Sequence, residues 1–117
     1  MKNIGPYIYE DEASEQMLIE LDEQVMNRDK VKLATEDATY HGQWSGSRRH
    51  GKGDQVWANC QHYEGYWVND EHNGHGRMVY PDGSYYIGYW KNNERSGQGK
   101  LVRADRTVYE GSWSNDT

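Results

Sequence analysis

The sequence predicts a mainly β protein, a thin antiparallel meander of repeated β-hairpins behind one N-terminal helix. Three observations carry this. A unit of 23 residues recurs without insertion from Tyr40 onward. Inside each unit, aromatic residues and glycines alternate with polar ones, the period of two expected of a half-buried strand. Ahead of the units, an acidic stretch carries its few apolar residues at helical spacing.

The N-terminal stretch comes first. Residues 1–39 hold 4 basic and 10 acidic side chains, whereas residues 40–117 hold 9 of each, so the net charge of −6 sits in the leader. Within it, "DEASEQMLIELDEQVMNRDKVKL" predicts a helix over about residues 11–33. Leu18, Leu21 and Val25 line one face with Met17 beside them, and Asp11 or Ser14 is the expected N-cap. Acidic residues crowd its first turns, while Arg28, Lys30 and Lys32 come late, as the helix dipole favours. Such a helix is expected to cover the sheet's first edge and block unwanted pairing, or to pack on another protein.

The units follow, over 40–62, 63–85 and 86–108, with a partial one over 109–117. Each opens on Tyr-x-Gly-x-Trp: Tyr40, Gly42 and Trp44; Tyr63, Gly65 and Trp67; Tyr86, Gly88 and Trp90; Tyr109, Gly111 and Trp113. In the second half of the unit, "HGKG", "NGHG" and "SGQG" place Gly51, Gly74 and Gly97 in register, and likewise Gly53, Gly76 and Gly99. Val56, Val79 and Val102 come three residues later. Alternation places Tyr63, Gly65 and Trp67 on one face, with Glu64 and Tyr66 on the other. It likewise places Gly74, Gly76, Met78 and Tyr80 together. Pro81-Asp82-Gly83 is a tight-turn sequence, since Pro sets φ and Gly accepts positive φ. Each unit therefore reads as a hairpin, and the partial unit supplies a first strand without the Gly-x-Gly strand that should pair with it.

Glycine inside a strand is a loss, because it is flexible and has no side chain to pack. The pattern resolves this if each aromatic ring lies flat over the bare backbone of a neighbouring strand's glycine. The composition agrees with a thin structure of half-buried aromatics. Hydrophobic residues make up 34% of the 117 residues and mean hydropathy is −1.19, yet there are 10 Tyr and 5 Trp and no Phe.

These motifs resemble the MORN repeat family, whose unit runs Y-E-G-x-W/F, a short polar turn, x-G-x-G, then aromatic-P-D-G. "YEGYWVNDEHNGHGRMVYPDGSYY", starting at residue 63, follows it almost throughout. The resemblance covers residues 40–117 and implies a single-layer, twisted antiparallel sheet with a groove along its length. Two departures stand out. Cys60 and Arg106 replace the turn glycine, and Arg103 stands where Trp57 and Tyr80 supply an aromatic. A looser third hairpin with a more basic groove is expected from them.

Little in the sequence suggests chemistry. Cys60, His62, His72 and His75 share one unit without the closed spacing of a zinc site, so no metal is expected. "HNGHG" lacks the Lys and following helix of a phosphate loop. No catalytic group or cofactor is expected, and the near-neutral repeat region is a poor start for nucleic-acid binding. A single Cys60 forms no internal disulfide and points to a reducing compartment. There is no apolar run of transmembrane or signal-peptide length.

Tyr and Trp anchor interfaces, because they bury much area with few rotatable bonds. The candidate partner-binding residues are therefore Tyr40, Trp44, Trp57, Tyr63, Trp67, Tyr80, Tyr86, Trp90, Tyr109 and Trp113, together with the open C-terminal sheet edge. The resemblance implies a non-catalytic protein–protein interaction scaffold inside a multi-subunit assembly. Its expected setting is the cytoplasm and cytoskeleton, at a ciliary axoneme and its radial spokes. The alternatives are a membrane-apposed phosphoinositide-binding module, with Arg48, Arg49 and Lys52 as the basic cluster, or the regulatory leader of a lipid kinase or lysine methyltransferase.

Overall fold

The computed structural model describes residues 5–116; residues 1–4 of the leader and residue 117 of the partial unit lie outside it. In the leader, Asp11 caps helix α1, Glu12–Leu21, by accepting from the Ser14 backbone N–H at 2.9 Å. Glu12 and Glu15 occupy its first turn, where the helix dipole favours acid.

The helix is much shorter than the sequence suggests. Asp22 is extended, accepts from the Gln24 N–H at 3.2 Å and pairs with Arg28 at 2.6 Å, folding the chain back on itself. A short 3-10 turn, Val25–Asn27, follows, and then strand β1, Val31–Ala34. Arg28 thus lies beyond the helix, where it donates to the Trp44 carbonyl at 3.1 Å, rather than complementing the dipole. Leu18 and Val25 are fully buried, but Leu21 is 60% exposed. The physical reason is tertiary. Val31-Lys32-Leu33-Ala34 gains a full ladder with the next strand, Val31 opposite Gly42 and Ala34 opposite Thr39. Continued helix would leave that strand's edge bare.

Seven further strands complete one open antiparallel sheet in chain order. They are β2 Ala38–Ser45, β3 Arg48–Trp57, β4 His62–Val68, β5 Glu71–Val79, β6 Tyr85–Lys91, β7 Glu94–Val102 and β8 Val108–Trp113. Each full unit is one hairpin, as its sequence pattern requires. At the hairpin tips, Asn69–Asp70, Asn92–Asn93 and Asn115–Asp116 hold positive φ at both positions. That conformation matches strand twist, and Asn and Asp tolerate it best after glycine. Between units, Asn59, Asp82 and Asp105 each accept at 2.9 Å from the backbone N–H two residues on. The third of these turns keeps the bonds of the first. Arg106 donates to the Arg103 carbonyl at 2.8 Å, as Cys60 does to Trp57 at 2.9 Å. The expected loosening is therefore absent from the turn itself.

Across the sheet runs a row of seven glycines in direct register. Gly42 faces Gly53, which faces Gly65, and the row continues through Gly76, Gly88 and Gly99 to Gly111. A Cβ on Gly65 would lie 2.5 Å from the Gly76 Cα, and one on Gly76 would lie 2.2 Å from the Tyr63 hydroxyl. Tyr40 lies over Gly53 and Tyr86 over Gly99 in the same way.

The other glycines of Gly-x-Gly behave differently. Gly51, Gly74 and Gly97 hold positive φ beside register shifts at Gly42/Trp44, Gly65/Trp67 and Gly88/Trp90. This bulge breaks the alternation. A Cβ on Gly74 would meet Ser14 and Met17 of the leader, so Gly74 faces away from Gly76, Met78 and Tyr80 instead of sharing their face.

The sheet has two unlike faces. On one, Tyr40, Tyr63, Trp67, Met78, Tyr86 and Trp90 form an aromatic core. On the other, the leader packs Leu18 and Val25 against Tyr66, with Tyr9, Met17, Met26 and Val68 around them.

Gly76→Val forces a Cβ into the buried Tyr63 ring and is expected to destabilise the fold by about 1–3 kcal/mol. A melting temperature unchanged within error would remove the ring-on-glycine account. The positive φ of 73° at Cys60 and 72° at Arg106 strains an ordinary residue. Cys60→Gly and Arg106→Gly should each raise stability by about 0.5–1 kcal/mol, the relief of strain outweighing glycine's added chain entropy. Chemical denaturation checks this, and a loss of stability in both would count against the strain.

Candidate functional site

The aromatic face is built by repetition. The hydroxyls of Tyr40, Tyr63 and Tyr86 reach over their glycines and donate to the carbonyls of Gln43, Tyr66 and Tyr89 at 2.8, 3.0 and 3.1 Å. Each Trp then ties its unit to the one before. Trp67, Trp90 and Trp113 donate Nε1–H to the carbonyls of Gly53, Gly76 and Gly99 at 3.0, 3.2 and 3.2 Å. Trp44 has no preceding unit and donates instead to Val31 of β1 at 3.0 Å. Tyr and Trp rings meet edge to face, with Tyr40, Tyr63 and Tyr86 at 5.4, 5.6 and 5.3 Å from the next unit's Trp67, Trp90 and Trp113. That arrangement is the one the ring quadrupoles favour.

Three further residues complete the face, and the sequence analysis passed over their role. Arg49, His72 and Arg95 stand 23 residues apart, so their shared phase in the repeat was available as a signal. The Arg49 guanidinium lies over Trp67 at 4.5 Å, and Arg95 over Trp113 at 4.7 Å. His72 stacks on Tyr63 at 3.9 Å. Each is also clamped by the next hairpin tip. The backbone N–H groups of Arg49, His72 and Arg95 donate to the side chains of Asp70, Asn93 and Asp116 at 2.7, 2.8 and 2.7 Å. The N–H groups of those tip residues return bonds to the carbonyls of Arg49, His72 and Arg95. The two arginines add salt bridges to their tip aspartates at 3.0 and 3.1 Å.

This packing divides the ten candidate anchors. Tyr40, Tyr63, Trp67, Tyr86 and Trp90 are buried by their own neighbours and present almost no surface. Trp44, Trp57, Tyr80 and Trp113 keep part of their area, and Tyr109 is 48% exposed. The available surface therefore lies along the rim, at the inter-unit turns. There an open groove is lined by Tyr80, Pro81, Ser84, Arg95, Leu101 and Arg103. Arg103 lies over the Tyr109 ring at 4.6 Å and supplies the basic character its sequence position suggests.

The opposite face is occupied by the leader, through contacts specific enough to fix its register. Ser14 Oγ accepts from the His75 N–H at 2.8 Å, and Tyr89 donates to Asp11 at 2.7 Å. Gln43 donates to the carbonyls of Met26 and Arg28 at 3.3 and 3.0 Å. Arg77, nearly buried, pairs with Glu64 at 2.9 Å and donates to the Gly5 carbonyl at 2.8 Å. Tyr7 bonds His75 through its hydroxyl.

The Cys60, His62, His72 and His75 group is dispersed. Cys60 is exposed at a turn, His62 is beside Asp54, His72 is on the aromatic face and His75 is under Tyr7. Among the described residues no three His, Cys, Asp or Glu side chains converge as metal ligands. The basic cluster is also altered, because Arg49 pairs with Asp70 and Lys52 lies 3.4 Å from Glu15.

The arrangement is that of an open, single-layer repeat sheet, each hairpin locked to the next by rings and tips. Comparison with known families matches the MORN repeat to residues 40–59, 63–85, 86–108 and 109–117. The chain belongs to the MORN repeat family, whose members are protein- and lipid-interaction modules. No curated protein matches the chain.

Burial, and then the nearby Arg49 charge, push the His72 imidazole down to about 3. Its Nδ1 is buried without a hydrogen-bond partner. The unfolded chain takes up this proton near pH 6.5 and the folded one only near 3, so stability falls as pH drops through that window. By pH 5 this amounts to about 2 kcal/mol. His72→Gln should flatten the stability profile between pH 6.5 and 5 by about one proton's slope. Burial lowers His50 and His75 in the same direction, so a residual slope remains. Denaturation curves at stepped pH check it, and an unchanged slope would clear His72 of the effect.

Proposed function

We propose that the protein is a non-catalytic scaffold that binds other proteins of a multi-subunit assembly through the rim of its aromatic face. The groove lined by Tyr80, Leu101, Arg95 and Arg103 carries this reading. It offers aromatic and apolar contact beside cationic groups on a support held rigid by the ring ladder. A helix or extended segment of a partner is the expected occupant. The setting we propose is a cytoskeletal assembly, a ciliary axoneme with its radial spokes being the foremost candidate. Family membership supports an interaction role, and the axonemal setting follows from the sequence resemblance alone. Two observations weigh against a phosphoinositide surface: the leader's acidity, and the pairing of Arg49 and Lys52 with carboxylates.

Affinity isolation with the intact chain tests this. Tyr80→Ala should weaken capture of a partner at least tenfold, about 1.4 kcal/mol. Glu20→Ala, on the exposed side of α1, should leave capture unchanged. Circular dichroism of both variants separates lost contact from lost fold. Equal losses from both substitutions would refute the rim assignment, and sedimentation with phosphoinositide vesicles would favour the lipid reading.

A further inference from the structure

The first strands of all four units, β2, β4, β6 and β8, carry the same Tyr-x-Gly-x-Trp, but only three of the tyrosines are seated. Tyr40, Tyr63 and Tyr86 are 3, 0 and 0% exposed, each over a glycine of the following strand. Tyr109 is 48% exposed. Among the described residues its hydroxyl makes no bond to the Ser112 carbonyl, the counterpart of the bond that closes the other three. Gly111 tells the same story. A Cβ on Gly42, Gly65 or Gly88 would lie within 2.4–2.5 Å of the next glycine's Cα, whereas one on Gly111 would meet nothing within 4 Å. A shallow cleft lined by Tyr109, Gly111 and Trp113 runs along this edge of β8.

We propose that the free edge of β8 takes an antiparallel strand of Gly-x-Gly pattern from a partner chain, its second glycine opposite Gly111 and under the Tyr109 ring. This rests on the interaction role proposed above and specifies one partner chemistry for it. The specificity is steric. In the seated units a Cβ on the covered glycine would come within 1.9–2.2 Å of the tyrosine hydroxyl, so a strand with any side chain there cannot let the ring lie flat. Backbone hydrogen bonds supply the affinity common to strand addition, and the glycine supplies the choice of partner.

A second copy of this chain does not offer such a strand. Its own Gly-x-Gly strands, β3, β5 and β7, are each paired on both sides. Its other open edge is β1, which presents Val31 opposite Gly42, in the place a glycine takes in β3, β5 and β7. The glycine row stops there, and so does the seat for a ring.

The test is a titration of the full chain with a synthetic peptide copying Glu94–Val102, "ERSGQGKLV", followed by NMR. The expected result is saturable binding with shifts confined to β8, slowed exchange of the β8 amides that point away from β7, and burial of Tyr109. A peptide with valine in place of the second glycine should bind at least tenfold more weakly. On Tyr109→Ala, the two peptides should bind alike, because the ring that demands glycine is gone. That pattern comes from the ring over the glycine and not from general strand pairing. Absence of binding up to millimolar peptide overturns the proposal, as does equal binding of both peptides to the wild type. Self-association of the chain alone through β8 and β1, seen by sedimentation, overturns the assignment to a partner chain. Loss of capture by Tyr80→Ala with a silent peptide titration would leave the rim reading standing and remove this one alone.

Discussion

A tyrosine ring resting on a glycine of the next strand is the contact on which this sheet depends. It explains why the strands hold glycine where a β-former would otherwise raise stability. The seven glycines from Gly42 to Gly111 line up across the sheet because each must give way to a ring or to a neighbouring backbone. The ring takes up the contact area that glycine forgoes, and its hydroxyl satisfies a carbonyl three residues on. In a single layer without a second sheet, this is how aromatic side chains become fully buried. Tyr63 and Tyr86 are covered by Trp67, Trp90, Trp113 and His72 instead of by another domain.

The bulges divide the two faces. Positive φ at Gly51 and Gly74 turns those residues toward the leader. Tyr66, on the strand opposite the Gly74 bulge, points the same way, into the pocket of Leu18 and Val25. The aromatic face and the leader face are thus two consequences of one backbone irregularity repeated at each unit. The leader uses the second face as a bound peptide would, with Asp11, Ser14 and Glu15 each bonded to a side chain or amide of the sheet.

Neighbouring units are coupled at both margins. The tips are joined through Asp70, Asn93 and Asp116, and the middle of the sheet through the Trp indoles. Because every unit touches only the next, stability grows by addition along the array, as in other repeat proteins. The ends are then the weak places. β1 stands in for a missing unit at one end by accepting the Trp44 indole, while β8 carries exposed Val108 and Tyr109 at the other.

The 23-residue step, the hairpins, their order and the pairing of ring with glycine were legible in the sequence, because they rest on local period and on residue types with few alternatives. The start of the helix at Asp11 was legible for the same reason, since a cap is a bond between close neighbours. Where the helix ends was not. Residues 25–34 have helical spacing of their own, and only the bare edge of β2 makes extended chain the better partner for Val31 and Leu33. Nor could alternation place Gly51, Gly74 and Gly97, because a bulge reverses the phase and depends on both strands. The sequence by itself determined which rings and glycines would meet. Only the tertiary structure decided which of those rings remained at the surface, because exposure depends on the units on either side, and Tyr63 differs from Tyr109 in its neighbours alone.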